Sequence, residues 1–178
     1  MRRPSVARQP ELYQSFDIVD MKQRTFLPDS DPSAGGVGAV MTGVDASGKF
    51  GNGCVFPKDK PKKYGVPKLA HYLRWQPFSF SFWFRCAKVP DKGVILHRTR
   101  GGLDAATRGY ELTFENGRLT ATLGHFYPGN AIRIQVPESL DFAGWRHIGF
   151  TYDGSSRAAG MKLFVDGRQM KSQIIRDH

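Results

Sequence analysis

Apolar and polar residues alternate with a period of two through most of the second half of the chain. The strongest run, PFSFSFWFRC, places four phenylalanines and Cys86 on one face of an extended segment. Two serines, Trp83 and Arg85 share the other face, because successive strand side chains point to opposite sides. A large aromatic residue on each face predicts a central strand that is covered on both sides.

Shorter runs of the same kind recur between prolines and glycines, which is typical of all-β chains. The pattern predicts nine strands, over residues 12–16, 54–56, 78–86, 94–97, 110–114, 119–123, 132–136, 145–152 and 161–165. Asn116-Gly117 and Asp166-Gly167 suit hairpin turns, which need positive φ angles. No segment of eleven or more residues has a helical period. The predicted fold is therefore all-β, a two-sheet antiparallel sandwich or jelly roll.

The apolar positions of these strands predict the core. We expect burial of Phe80, Phe82, Trp83, Leu112, Phe114, Ile134, Trp145, Phe150, Leu163 and Val165.

Composition narrows the classes of function. The 178 residues carry 26 Lys and Arg against 16 Asp and Glu, a net charge of +10. The excess is shared evenly between the two halves of the sequence, and the one dense run, KDKPKK, is interrupted by proline. Nucleic-acid binding usually needs basic residues gathered on one surface among stacking aromatics, so this distribution argues against it. No apolar run approaches the ~20 residues of a membrane helix, and the basic start lacks the apolar segment of a signal peptide.

Several segments in order resemble a known family: LYQSFD, GKFGNGCVF, PFSFSFWFRC, GVILHR, GYELTFENGRLTATL, GWRHIGFTYDGS and MKLFVDGRQ. Together they are similar to concanavalin A-like jelly rolls of laminin-G type, over roughly residues 12 to 175. GHFYPGNAIRIQV, with AAG before MKLFVDGR, resembles laminin-G-like modules of large exported bacterial proteins that also carry cytochrome-c-like domains. The resemblance implies a periplasmic, cell-surface or extracellular location.

The resemblance also sets expectations about domain boundaries. Such modules usually continue after a VDGR segment with a final strand that returns beside the first. We therefore expect residues 1–11 to be an upstream tail and residues 12–178 to be a jelly roll that lacks its last strand.

Some jelly rolls of this class are glycoside hydrolases with closely spaced carboxylates on one strand. Glu111 and Glu115 share a strand face, but Thr113 stands where those enzymes carry an aspartate. Four residues of regular strand separate the carboxylates by about 13 Å. A retaining mechanism needs its two carboxyl groups roughly 5–5.5 Å apart, and an inverting mechanism needs them roughly 6.5–9.5 Å apart. Only a bulge would close the gap, and no serine-nucleophile elbow or metal-binding histidine spacing is present.

The sequence leaves open whether the protein has a calcium site and a disulfide. Related jelly rolls hold Ca²⁺ at the rim, for which Asp29, Asp31, Asp104 and Asp153 are weak candidates. Each aspartate is equally explained as a turn former. Cys54 and Cys86 are too few for a zinc site, but an exported protein would allow one bridge between them.

Two loops have the composition of a binding surface. His125, Tyr127 and Asn130 lie together between two strands, although Phe126 and Tyr127 could equally close the end of the sandwich. Arg98, Arg100 and Arg108 flank another loop, where their guanidinium groups suit acidic glycans, although a solvated hairpin loop is the simpler alternative.

We therefore predict a non-catalytic module of a larger exported protein. Its expected partner is a polysaccharide or glycoprotein, besides other domains of the same polypeptide, and no cofactor is predicted apart from the calcium left open. The first alternative is a structural or protein-contact domain without a small ligand, and the remote alternative is a glycoside hydrolase.

Overall fold

The computed structural model describes residues 19–20, 25–26, 44–54, 72–100, 108–126 and 129–178. The chain divides into two units, Met1–Ala70 and His71–His178. The predicted first strand, at residues 12–16, and the predicted boundary after residue 11 lie outside the described residues.

The first unit contains two strand pairs in its described residues. The antiparallel pairs are β1 (Val19–Asp20) with β2 (Thr25–Phe26), and β3 (Val44–Ser47) with β4 (Asn52–Cys54). The predicted strand at 54–56 overlaps β4 only at its first residue, and β1, β2 and β3 were not predicted.

The second unit contains nine strands. They are β5 (Phe78–Phe84), β6 (Lys92–Arg100), β7 (Arg108–Glu115), β8 (Arg118–Phe126), β9 (Asn130–Gln135), β10 (Arg146–Tyr152), β11 (Met161–Val165), β12 (Arg168–Gln169) and β13 (Gln173–Asp177). One 3₁₀ turn, Ala158–Gly160, precedes β11.

These strands form two antiparallel sheets. One has the order β12-β11-β10-β5, and the other has the order β13-β9-β8-β7-β6. The two predicted hairpin turns are confirmed, because Asn116 and Gly117 have φ of 50° and 70°, and Asp166 and Gly167 have φ of 51° and 76°. The prediction of a two-sheet antiparallel sandwich is therefore confirmed. β12 and β13 were not predicted.

Aromatic rings fill the space between the two sheets. From β5, the Phe78 ring lies 4.8 Å from that of Tyr110 on β7. At the other end, Phe84 lies 6.0 Å from Phe114 and 5.5 Å from Phe142. Phe142 belongs to the segment before β10 and is fully buried. Period-two analysis missed Phe142 because it lies outside any alternating run.

The core prediction is confirmed for Leu112, Phe114, Ile134, Phe150, Leu163 and Val165, which are all buried. It is wrong for Trp83, whose side chain is 39% exposed. Phe80, Phe82 and Trp145 are only half-buried. The tryptophan indole of Trp145 instead lies under the guanidinium of Arg85, 5.0 Å from its carbon.

The prediction that β5 is covered on both faces is also wrong. Within the described residues, β5 is the outermost strand of its sheet and pairs with β10 alone. Its outward face is exposed at Ser79 and Ser81 as well as at Trp83. Its inward rings are half-buried because the described strands flank them on one side only.

Removal of the Phe142 ring tests the core. We expect Phe142→Ala to lower the free energy of unfolding by about 3–5 kcal/mol, because the ring is fully buried between two others and leaves a cavity. Urea denaturation measures the loss. Phe126→Ala is the matched control, because Phe126 is 55% exposed and should cost under about 1 kcal/mol. Equal losses in the two variants would contradict the placement.

Candidate functional site

One end of the second unit brings together most of the predicted binding residues. Cross-strand pairing aligns Arg98 with Tyr110, Tyr110 with Leu123, and Leu123 with Ile132, and Asp177 pairs with Ile132 in turn. We call this row, together with the described residues between it and the near end of the sandwich, the loop end. It includes the segment 72–77, the described residues of 124–131 and the segment 153–160.

His125 and Asn130 lie at the loop end and are both exposed, as their predicted role requires. Phe126 is the cross-strand partner of Asn130 and is 55% exposed. Tyr127 lies outside the described residues. Of the two residues that would close the end of the sandwich, Phe126 and Tyr127, only Phe126 is described, and it is exposed and not buried.

The arginine loop shares this end. Gly109 pairs with Gly124, so that Arg108 and His125 are the next positions along β7 and β8. Arg108 is exposed and pairs with Arg100, and Arg98 is half-buried two rows further in. The side chain of Arg100 lies outside the described part of the chain. The two loops that the sequence predicted as separate candidates thus lie at the same end of the second unit.

Arg74, which sequence analysis did not select, holds this surface together. Its Nη1 donates a hydrogen bond to Asn130 Oδ1. Its Nη2 donates to the carbonyl oxygen of His178 at 2.7 Å and to that of Ser156 at 3.2 Å. One guanidinium group therefore connects three segments that are far apart in sequence.

The backbone around Arg74 is fixed by a buried tyrosine. The Tyr152 hydroxyl donates to the Arg74 carbonyl oxygen at 2.5 Å and accepts from the Ser156 amide at 2.7 Å. Gly154, with φ of 81°, allows close approach of the two segments, because a Cβ there would lie 2.8 Å from the Trp75 carbonyl oxygen. The loops are therefore held in a defined geometry.

Trp75 is the most exposed tryptophan of the described residues, at 68%. It lies at the tip of a turn in which the Gln76 amide donates to the Leu73 carbonyl oxygen at 2.9 Å. The Leu73 amide in turn donates to the Gln76 side chain at 2.8 Å. The signal in the sequence was a tryptophan outside every alternating run, between Arg74 and Pro77.

Asp153 has the geometry of a turn former. Its Oδ1 accepts the Ser155 amide at 2.9 Å, and hydrogen bonds from the Ser155 hydroxyl and amide lower the pKa of its carboxyl. The other calcium candidates, Asp29, Asp31 and Asp104, lie outside the described residues. Within the residues the structure describes, no group of three or more His, Cys, Asp or Glu side chains is placed to hold a metal ion.

The hydrolase candidates lie on the outward face of β7. β7 pairs with β8 in unbroken register from Gly109 to Glu115, so no bulge shortens the separation of Glu111 and Glu115. In the pairing of β7 with its other neighbour, β6, the register shift falls on β6, between Val94 and Leu96. Glu115 forms an ion pair with Arg133, whose side chain is 7% exposed.

Cys86 is a free thiol, so the disulfide that the sequence left open is not formed. Its Sγ lies 3.1 Å from the carbonyl oxygen of Lys88. In the parts of the chain that the structure covers, no helix has the length and apolar character that a membrane crossing requires.

Removal of one hydroxyl tests the anchoring of the loop end. We expect Tyr152→Phe to lower the free energy of unfolding by about 1–3 kcal/mol, because it leaves two backbone groups without their partner. Hydrogen exchange should accelerate in residues 72–77 and 153–160. Exchange at the Asn116-Gly117 turn, at the opposite end, is the internal control. Unchanged exchange in both loops would contradict the anchoring.

A family model for laminin-G domains of the concanavalin A-like lectin/glucanases superfamily matches residues 65–178. Comparison with the curated proteins finds no match. The matched range contains both sheets of the sandwich and every segment of the loop end. The chain belongs to the laminin-G-type family of the concanavalin A-like lectin/glucanases superfamily.

Proposed function

We propose that this protein is a non-catalytic glycan-binding module and that the loop end is its binding surface. The observation that carries the proposal is a pair of exposed aromatic side chains beside an ordered polar cluster. Trp75 directly follows Arg74, and Phe126 is the cross-strand partner of Asn130. The Arg74–Asn130 hydrogen bond therefore joins the two segments that carry these aromatic residues.

Exposed aromatic rings suit carbohydrate because the C–H face of a sugar ring is apolar and packs flat on an aromatic ring. Hydroxyl groups at the sugar edge need hydrogen-bonding partners in fixed positions. His125, the Asn130 amide and the Arg157 guanidinium supply such groups, and all three are exposed. The binding face has little conformational entropy to lose, since Arg74 and Tyr152 already hold the loops.

The proposal also holds that the module has no hydrolase activity. A carboxylate separation of about 13 Å on a regular strand is too long for either hydrolytic mechanism. The Glu115 carboxylate is moreover engaged by Arg133.

The alternative is a protein-contact domain, and one observation favours it. Ile174 and Ile175 on β13 are 53% and 49% exposed. Among the described strands, β13 is outermost in its sheet, and such edges are typical sites of contact between chains. The glycan experiment below decides between the two proposals.

Substitution of the two aromatic residues tests glycan binding. We expect the unmodified protein to bind polysaccharides on an array. Trp75→Ala and Phe126→Ala should each weaken that binding at least about tenfold, because each substitution removes a stacking surface. Trp83→Ala is the matched control, since Trp83 is exposed on the outward face of β5, six residues after the loop-end segment 72–77. Absence of binding to any polysaccharide, or equal loss in Trp83→Ala, would leave the protein-contact alternative.

Substitution of Glu111 tests the absence of catalysis. We expect no release of reducing sugar from β-glucans by the unmodified protein, and no change in Glu111→Gln, because Glu115 lies beyond catalytic distance of Glu111. Thermal unfolding verifies that both proteins are folded. Measurable hydrolysis that disappears in Glu111→Gln would overturn this part of the proposal.

A further inference from the structure

The end of β13 contacts all three segments of the loop end. Asp177, the last residue of the strand, accepts the Ala158 amide on Oδ1 at 2.7 Å. His178, the next residue, donates its amide to the Ala131 carbonyl oxygen at 3.2 Å. The carbonyl oxygen of His178 accepts a hydrogen bond from Arg74 Nη2 at 2.7 Å. The three segments therefore meet at two consecutive residues.

The contact with Ala158 positions Arg157, one of the polar groups of the proposed binding face. On one side of Arg157, the Tyr152 hydroxyl accepts the Ser156 amide at 2.7 Å. On the other side, Asp177 accepts the amide of Ala158, which is fully buried. A buried amide that loses its acceptor is costly, so loss of this carboxylate favours opening of the loop to water. Asp177 therefore fixes the backbone on the far side of Arg157.

β13 itself is held mainly by its backbone. None of its five side chains is buried, and Ile174 and Ile175 are exposed. Among the described strands it pairs with β9 alone, and the register of that pairing shifts between Ile174 and Arg176. A strand with little buried apolar surface and one neighbour opens locally at a lower free energy than a core strand does. Release of β13 from β9 would free the loop-end segments together.

We propose that β13 is a latch for the binding face and that Asp177 is the residue that positions Arg157. The loop end binds glycan only while β13 is paired with β9, and bound glycan in turn keeps β13 in place. This inference rests on the proposed glycan-binding function and adds the regulation of that surface. Coupling between two events is reciprocal, so the latch requires no contact between β13 and the glycan.

Removal of one acceptor tests the positioning role of Asp177. We expect Asp177→Ala to accelerate hydrogen exchange in residues 153–160 at least about tenfold, because the buried Ala158 amide loses its partner. Binding on the polysaccharide array should weaken at least about fivefold, because Arg157 is no longer held in position. Asp177→Asn keeps the Oδ1 acceptor and should restore both values to within about twofold of the unmodified protein. Equal effects of the two substitutions would contradict a role for this hydrogen bond.

Asp141→Ala is the matched control. Asp141 Oδ1 accepts the Ala143 amide at 2.9 Å. The residue lies at the opposite end, because its carbonyl oxygen accepts from Arg146, which pairs with Phe84 at the far end of β5. The substitution therefore removes the same charge and the same kind of hydrogen bond at a distance from the loop end. Exchange in residues 153–160 and array binding should both change less than about twofold.

Hydrogen exchange of the unmodified protein tests the reverse coupling. Saturation with the polysaccharide that binds most tightly on the array should slow exchange in β13 at least about threefold, because binding and pairing stabilise each other. β6 is the internal control, since it is the other outermost described strand of the same sheet. Its residues 92–96, at the opposite end, should change less. Equal slowing in the two strands would mean general stabilisation by a bound ligand and would overturn the latch.

The outcomes distinguish the latch from the glycan-binding function. Unchanged array binding by Asp177→Ala, with loss in Trp75→Ala, would overturn the latch and leave glycan binding intact. If Asp177→Ala does not fold, the exchange measurement on the unmodified protein decides, since it needs no variant. Absence of binding to any polysaccharide on the array would overturn the proposed function and the latch with it.

Discussion

Aromatic packing between the two sheets is the interaction on which the rest of the second unit depends. Phe78 and Phe84, at the two ends of β5, reach across to the rings of the facing sheet. Each such contact adds roughly 0.5–1.5 kcal/mol to the apolar area it buries. Phe78 is close to Tyr110 and also 5.7 Å from Tyr152, so the same packing fixes the position of the tyrosine that anchors the loops. The packing of the core therefore also positions the candidate site.

This connection between the core and the loops explains how a surface built from loops acquires a fixed shape. Backbone groups in loops need partners as much as those in strands do. Here the Tyr152 hydroxyl and the Arg74 guanidinium supply them to segments that belong to no sheet. Because those groups are tied to the core, the exposed Trp75 side chain extends from a fixed backbone. An exposed ring on a fixed backbone is what a binding surface needs and what a stable core alone would not provide.

The sequence predicted what depends on local pattern. The alternation of PFSFSFWF and the Asn116-Gly117 turn depend on strand pleat and on allowed φ angles, and both were interpreted correctly. The exposure of the outward face of β5 depends on which segments cover the sheet, and period two carries no information about that. β13 was missed for a related reason: Ile174 and Ile175 are adjacent and do not alternate, because the register of β13 shifts between Ile174 and Arg176. Arg74 escaped notice because its role arises only where three distant segments meet.

The loop end shows the same difference between sequence and fold most clearly. Along the chain, the loop with His125 and Asn130 and the loop with Arg98 and Arg108 are two separate candidates. Antiparallel pairing places the end of β6, the start of β7 and the end of β8 at one edge, which brings Arg98, Arg108 and His125 together from distant positions in the sequence. Residues that are scattered in the sequence thus lie at one edge of the sheet, and the topology of the sheet decides which residues meet there.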